Sequence, residues 1–204
     1  MGHGVVCQAG SGGDPVRRPI HPEAVTDEPQ AIRWVVDTAE LPVGEVLRAA
    51  GTLGPMMEYG VITRMFVERG SVWTWLAPEH TWTDHGPRIR DAVVAAIDAE
   101  GWDITDGSAE LLRLIAADVV SGQLFSYINS HGGQISVVSA SIDGVVLDFG
   151  GACTDCPAQG RTLHDRVEVT LSARYPRLRE VTKVPTGQAT TSRSQSPLLR
   201  LLQR

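Results

Sequence analysis

Two cysteines three positions apart, Cys153 and Cys156, follow an apolar run and two glycines in the stretch Val145-Val146-Leu147-Asp148-Phe149-Gly150-Gly151-Ala152-Cys153-Thr154-Asp155-Cys156-Pro157. The run reads as a strand that hands both thiols to a loop. Pro157 suits the first position of a helix, where its missing N–H is no loss, and Leu163, Val167, Leu171 and Tyr175 continue at helical spacing. Two sulfurs so placed converge at a helix start, where free N–H groups and the helix dipole favour thiolate over thiol. That is a ligand geometry, with Cys153 and Cys156 as the candidate metal ligands. Gly150 and Gly151 carry no side chains, so the backbone can turn tightly and lie close to whatever the sulfurs hold; they are the candidate cofactor-contacting residues.

Three chemistries compete for a lone CxxC: half of a zinc site, a redox dithiol, or half of an iron–sulfur site. A four-cysteine zinc site wants a second pair, but the remaining cysteine, Cys7, stands alone near the terminus with only His3 nearby, and no pair of histidines has ligand spacing. A thioredoxin-like dithiol usually follows an aromatic residue, whereas Gly150-Gly151-Ala152 precedes Cys153. Two ligands per chain also suit a cluster shared across a two-fold axis, where a homodimer supplies four thiolates.

Beyond the cysteines, His131-Gly132-Gly133-Gln134-Ile135, the turn Asp143-Gly144, Gly151 to Pro157, Thr162-Leu163 and Tyr175-Pro176-Arg177-Leu178-Arg179-Glu180-Val181 stand in an order and spacing that resemble the C-terminal domain of the NifU and Nfu family of iron–sulfur scaffold and carrier proteins. His131 replaces the acidic residue usual in that pattern. The resemblance covers about residues 108 to 184. More weakly, Leu47 to Ile97, with Gly60-Val61 and Trp82, looks like the domain that precedes the cluster domain in Nfu proteins, without its usual Pro-Asn-Pro opening. The resemblance implies a carrier that assembles or accepts a 4Fe–4S cluster, held by Cys153 and Cys156 of two chains, and passes it to apo iron–sulfur client enzymes after receiving it from an upstream donor. With no acid/base pair, nucleophile–base constellation or phosphate loop in view, the expectation is a non-enzyme; the rival is a dithiol oxidoreductase using the same two cysteines.

Composition narrows the classes. The 204 residues carry 18 Lys and Arg against 24 Asp and Glu, a net charge of -6, which argues against nucleic acid because its binding is driven by basic side chains on phosphates. Three cysteines do not make a disulfide framework, the start lacks a basic and apolar leader, and no segment nears the ~18 apolar residues of a membrane span, so a cytoplasmic protein is expected. Gly2 is followed by Val6 where a myristoylation site wants Ser or Thr.

The elements that must position the cysteines follow from periodicity, and they predict an α+β protein of two small domains. Residues 1–29, with five glycines and four prolines, read as a flexible tail. Residues 30–100 read as the first domain: a strand from Ile32 to Val36, a helix from Val43 to Leu53, a hairpin of Val61–Val67 and Ser71–Leu76, and an amphipathic helix from Trp82 to Ala99 carrying Ile89, Val93, Ala96 and Ile97. Five tryptophans beside three phenylalanines could form a docking face, but fit better as interior filling. His80 and His85 read as solvated. Residues 101–107 read as a linker, with Asp103, Asp106 or Ser108 as cap for the helix of Leu112 to Ile128, kinked at Gly122. Residues 108–184 read as the second domain, in the order α-β-β-α-β: a three-stranded sheet backed by two helices, its strands Gln134–Ile142, Val145–Phe149 and Glu180–Val184. Residues 185–204 read as a second tail.

Overall fold

The structure, a computed structural model, describes residues 18–184 apart from 27, 39, 131 and 152–156, with 157–163 as backbone only. It is a mixed α+β protein in two compact units, Met1–Gly107 and Ser108–Arg204.

The first unit is a six-stranded sheet in the order β1-β2-β5-β4-β3-β6, where β1 is Ile20–Ala24, β2 Ala31–Val36, β3 Gly44–Arg48, β4 Ile62–Glu68, β5 Ser71–Leu76 and β6 Asp103–Ile104. The expected hairpin is β4–β5, paired from Ile62↔Leu76 to Glu68↔Ser71 around Gly70. Helices α1, Leu53–Glu58, and α2, Trp82–Ala96, carry Leu53, Met56, Ile89 and Val93 into one core with Trp34, Val36, Met65, Val67 and Val72. Thr81 caps α2 by accepting from the Asp84 N–H at 3.3 Å, and Pro87 is accommodated within its first turns. The opposite face of the sheet is buried too: Phe66, Trp73 and Trp75 pack there, and the fully buried Glu68 accepts from Arg33 Nε at 2.7 Å and from the Ser71 hydroxyl. Trp34, Trp73 and Trp75 are core residues, while Trp82 and Trp102 pack against the core, so the tryptophans fill the interior.

Three expectations fail in this unit, for one reason. Residues 20–24 are not tail but an edge strand paired with β2 from Ile20↔Val36 to Ala24↔Ile32. Gly44–Arg48 is a strand, not a helix, and the presumed linker 101–107 supplies its neighbour β6. Thr105 N–H donates to the Glu45 carbonyl at 2.9 Å, and a Cβ on Gly44 would lie 2.0 Å from the Thr105 carbonyl oxygen. In each case pairing with another strand, nearby in sequence for β1 and some sixty residues away for β3 and β6, overrides weak local propensity.

The second unit has the order α-β-β-α-β, with its first helix divided. Its sheet, β7-β8-β9, consists of β7 Gly133–Ala140, β8 Gly144–Gly151 and β9 Glu180–Lys183, with β7 antiparallel and β9 parallel to β8. Ser108 caps α3, Ala109–Asp118, accepting from Leu111 N–H. In place of a simple kink at Gly122 the chain makes a π-helical turn, Val119–Gln123, closed by Leu124 N–H on the Val119 carbonyl, before α4, Phe125–Ser130. Such a turn re-aims a helix without proline. The last helix, α5, is Pro157–Arg174.

Candidate functional site

The cysteines sit in sequence between the last residue of β8, Gly151, and the first of α5, Pro157; Cys153 and Cys156 themselves lie outside the described residues, as do Cys7, His3 and His131. What the structure gives is the frame that holds the two ends of their loop.

At the strand end, Gly151 pairs with Gly133, and Gly150 with Gln134. Gly151 has φ +63°, and a Cβ there would lie 2.4 Å from the Gly132 carbonyl oxygen, closer than any side chain can approach. Glycine is therefore required at Gly151 by the backbone of the opposing segment and by the left-handed turn that ends the ladder. Gly150 differs: its added Cβ would meet Gln134 at an ordinary 3.7 Å. The two glycines that looked equivalent in the sequence have different reasons to be there.

Toward the helix, α5 is held from His164 to Tyr175. Val167, Leu171 and Tyr175, spaced four apart, are fully buried. His164 Nε2–H donates to the Val181 carbonyl of β9 at 2.8 Å, which fixes the ring's tautomer because a carbonyl can only accept. The Arg166 guanidinium lies 4.5 Å from the Tyr127 ring centre on α4, and Arg174 bonds Asp118 at the end of α3 at 2.6 Å with little solvent around either. The Tyr175 hydroxyl accepts from Ser108 N–H at 2.9 Å and donates to the Ile142 carbonyl at 2.7 Å, joining the start of α3, the end of α5 and the β7–β8 turn. Phe149, two residues before Gly151, lies 4.6 Å from Lys183 Nζ and 6.5 Å from the His164 ring. Of these contacts only the buried stripe of Val167, Leu171 and Tyr175 was foreseen. The hydroxyl of a tyrosine on an apolar helix stripe was the signal for one of them, since a buried phenol needs a partner.

His80 and His85 bracket the start of α2, half-buried and with their ring centres 4.5 Å apart. Among the described residues no group of three or more His, Cys, Asp or Glu side chains comes together to hold a metal ion, and no helix is long and apolar enough to cross a membrane.

A family model described as NifU-like domain matches residues 118–182, a span that contains both cysteines and every residue of the frame named above except Ser108 and Lys183. The chain is also similar to proteins named Fe/S biogenesis protein NfuA: that of Vesicomyosocius okutanii subsp. Calyptogena okutanii, 39% identical over 48% of this chain and 50% of the relative; that of Azotobacter vinelandii, 36% identical over 47% of this chain and 55% of the relative; and that of Pseudomonas aeruginosa, 48% identical over 27% and 29%. The chain spans about half the length of these curated relatives, or less. The chain thus carries a NifU-like domain at residues 118–182 and is similar, over about half its length, to proteins named for Fe/S biogenesis.

Proposed function

We propose that this chain serves iron–sulfur cluster biogenesis as a scaffold or carrier: Cys153 and Cys156 hold a 4Fe–4S cluster as cargo, two chains share it as a homodimer, and the cluster passes to apo iron–sulfur proteins. One observation carries the reading: a CxxC lies inside the residues matched as NifU-like, between the end of β8 and α5, a helix held to the same small sheet from His164 onward. Four thiolates complete such a cluster, and two chains supply them.

The chemistry is ligand exchange. A thiolate of the acceptor attacks one iron, the thiolate of Cys153 or Cys156 leaves with its electron pair, and repetition moves the cluster without a change in its oxidation level. Exchange between similarly ionised thiolates is nearly thermoneutral, so direction follows from the acceptor's larger ligand set and deeper burial. The clamped frame keeps the loop ends fixed while ligands change. Gly150 and Gly151 leave room beside the cluster, a role we assign to them in addition to the backbone contact of Gly151. The protein acts as a carrier and not as an enzyme, in the reducing cytoplasm, with an upstream donor supplying the cluster.

Anaerobic reconstitution followed by iron and sulfide assay and size-exclusion chromatography tests the reading: one 4Fe–4S cluster per dimer is expected, and its delivery to apo-aconitase should outpace iron and sulfide alone. Zinc in place of iron, or a cluster held by one chain, would overturn it. Catalytic reduction of insulin disulfides without cluster delivery would establish the dithiol chemistry instead.

A further inference from the structure

We infer that His80 and His85, at the entrance to α2, bind a divalent first-row transition ion, zinc among them, through their two imidazole rings. The pair belongs to the first unit and does not depend on the carrier reading. The described histidines are His21, His80, His85 and His164, and two of them have polar partners: His21 lies 3.4 Å from a Glu23 carboxylate oxygen, and His164 bonds the Val181 carbonyl. The imidazoles of His80 and His85 have neither a hydrogen bond nor an ion pair among the described residues, although both are half-buried and close together. Each neutral ring keeps one nitrogen lone pair, and imidazole nitrogen is the commonest protein ligand for such ions.

The spacing fits one shared ion. Two imidazoles bound through nitrogen at about 2.1 Å, with about 90–110° between the bonds, have ring centres about 4.5–5.3 Å apart. The observed separation is 4.5 Å, with the ring planes inclined by 57° and not stacked. Rotation about the Cβ–Cγ bonds, which no hydrogen bond restrains, selects the nitrogens presented to the ion. The backbone holds the pair ready. His80 closes a turn in which Pro78 fixes φ and the His80 N–H donates to the Ala77 carbonyl at 3.0 Å. The His85 N–H donates to the Thr81 carbonyl at 3.1 Å, and between the two histidines Trp82 packs on the core, edge-on to Trp34 with ring centres 6.0 Å apart. The positive end of the α2 dipole opposes a cation, but Glu79 and Asp84 against Arg88 leave residues 79–88 with net negative charge. Two protein ligands leave the remaining positions to water, which makes the ion exchangeable. Nitrogen ligands place copper(II) above nickel and zinc and exclude magnesium, which takes oxygen.

Calorimetric titration of zinc chloride into the full chain carrying Cys7→Ser, Cys153→Ser and Cys156→Ser, which removes the competing thiolates, tests the site. One ion per chain should bind with a dissociation constant below about 100 µM, and His80→Asn and His85→Asn should each weaken binding by roughly tenfold or more. The far-UV circular dichroism spectrum should be unchanged in both variants, His21→Asn should bind as the parent does, and excess magnesium should not displace the zinc. In nitrogen NMR spectra of the imidazoles, the signals of His80 and His85 should shift together as zinc is added. Absence of binding, unchanged binding in either variant, equal loss in His21→Asn, or a shift of only one of the two rings would each overturn the inference. With the thiolates removed, the result is independent of whether Cys153 and Cys156 hold a cluster.

Discussion

A methyl group is enough to separate two adjacent glycines at the end of β8. Gly151 sits at φ +63° with no space toward Gly132, whereas Gly150 has ordinary contact distance to Gln134. Gly151→Ala should therefore lower stability by about 1–3 kcal/mol through backbone strain, and Gly150→Ala by well under that; urea denaturation monitored by far-UV circular dichroism checks the ranking. Cysteine substitutions should behave in the opposite way. Cys153→Ser and Cys156→Ser should each abolish cluster loading with the denaturation midpoint little changed, while Cys7→Ser loads normally; equal loss in all three would show that the ligand set is wrong. The ligand candidates and Gly151 were legible in the sequence because a CxxC and a double glycine are local signals. His164 and Arg166 were not, because their partners Val181 and Tyr127 are distant in sequence and no spacing rule links them.

Elements with a strong local signature stand where the sequence placed them: the β4–β5 hairpin, α2 from Trp82, and the β7–β8 hairpin around Asp143 and Gly144. Elements that exist only by pairing with another strand did not announce themselves. β1, β3 and β6 are short, and each is stabilised by a partner strand more than its own propensity, so Val46 and Leu47 looked helical although Leu47 ends 60% exposed. The same distinction governs what holds α5 in place. Tyr175→Phe removes the hydroxyl that serves Ser108 and Ile142, leaving a buried N–H and a carbonyl without it, and should cost about 1–3 kcal/mol. Ser108→Ala, which removes only the cap on α3, should cost about 1 kcal/mol. Because both changes touch the frame and not the ligands, cluster stoichiometry should persist in each while thermal denaturation moves to lower temperature.

Each unit of the whole molecule has its own sheet and its own buried side chains, and they differ in charge. Of the 24 acidic residues 16 fall in 1–107 against 8 Lys and Arg, whereas 108–204 holds 8 acidic and 10 basic residues. The candidate ligands Cys153 and Cys156, the NifU-like span and the clamps on α5 all lie in the second unit. On the proposed carrier reading, loading should therefore be a property of residues 108–204, while an acid-rich first unit can steer association with acceptors of opposite charge, an effect on encounter rate that salt screens over about 10 Å at 0.1 M. Removing residues 1–107 should leave iron and sulfide content per chain unchanged, slow delivery to acceptors with a basic surface, and flatten the salt dependence of that delivery. Transfer rates for the full chain and the shortened one, measured between 20 mM and 500 mM salt with the same acceptor, check this. If the shortened chain cannot be loaded, the first unit contributes to the cluster site; if its transfer matches the full chain at every salt concentration, the first unit plays no part in delivery.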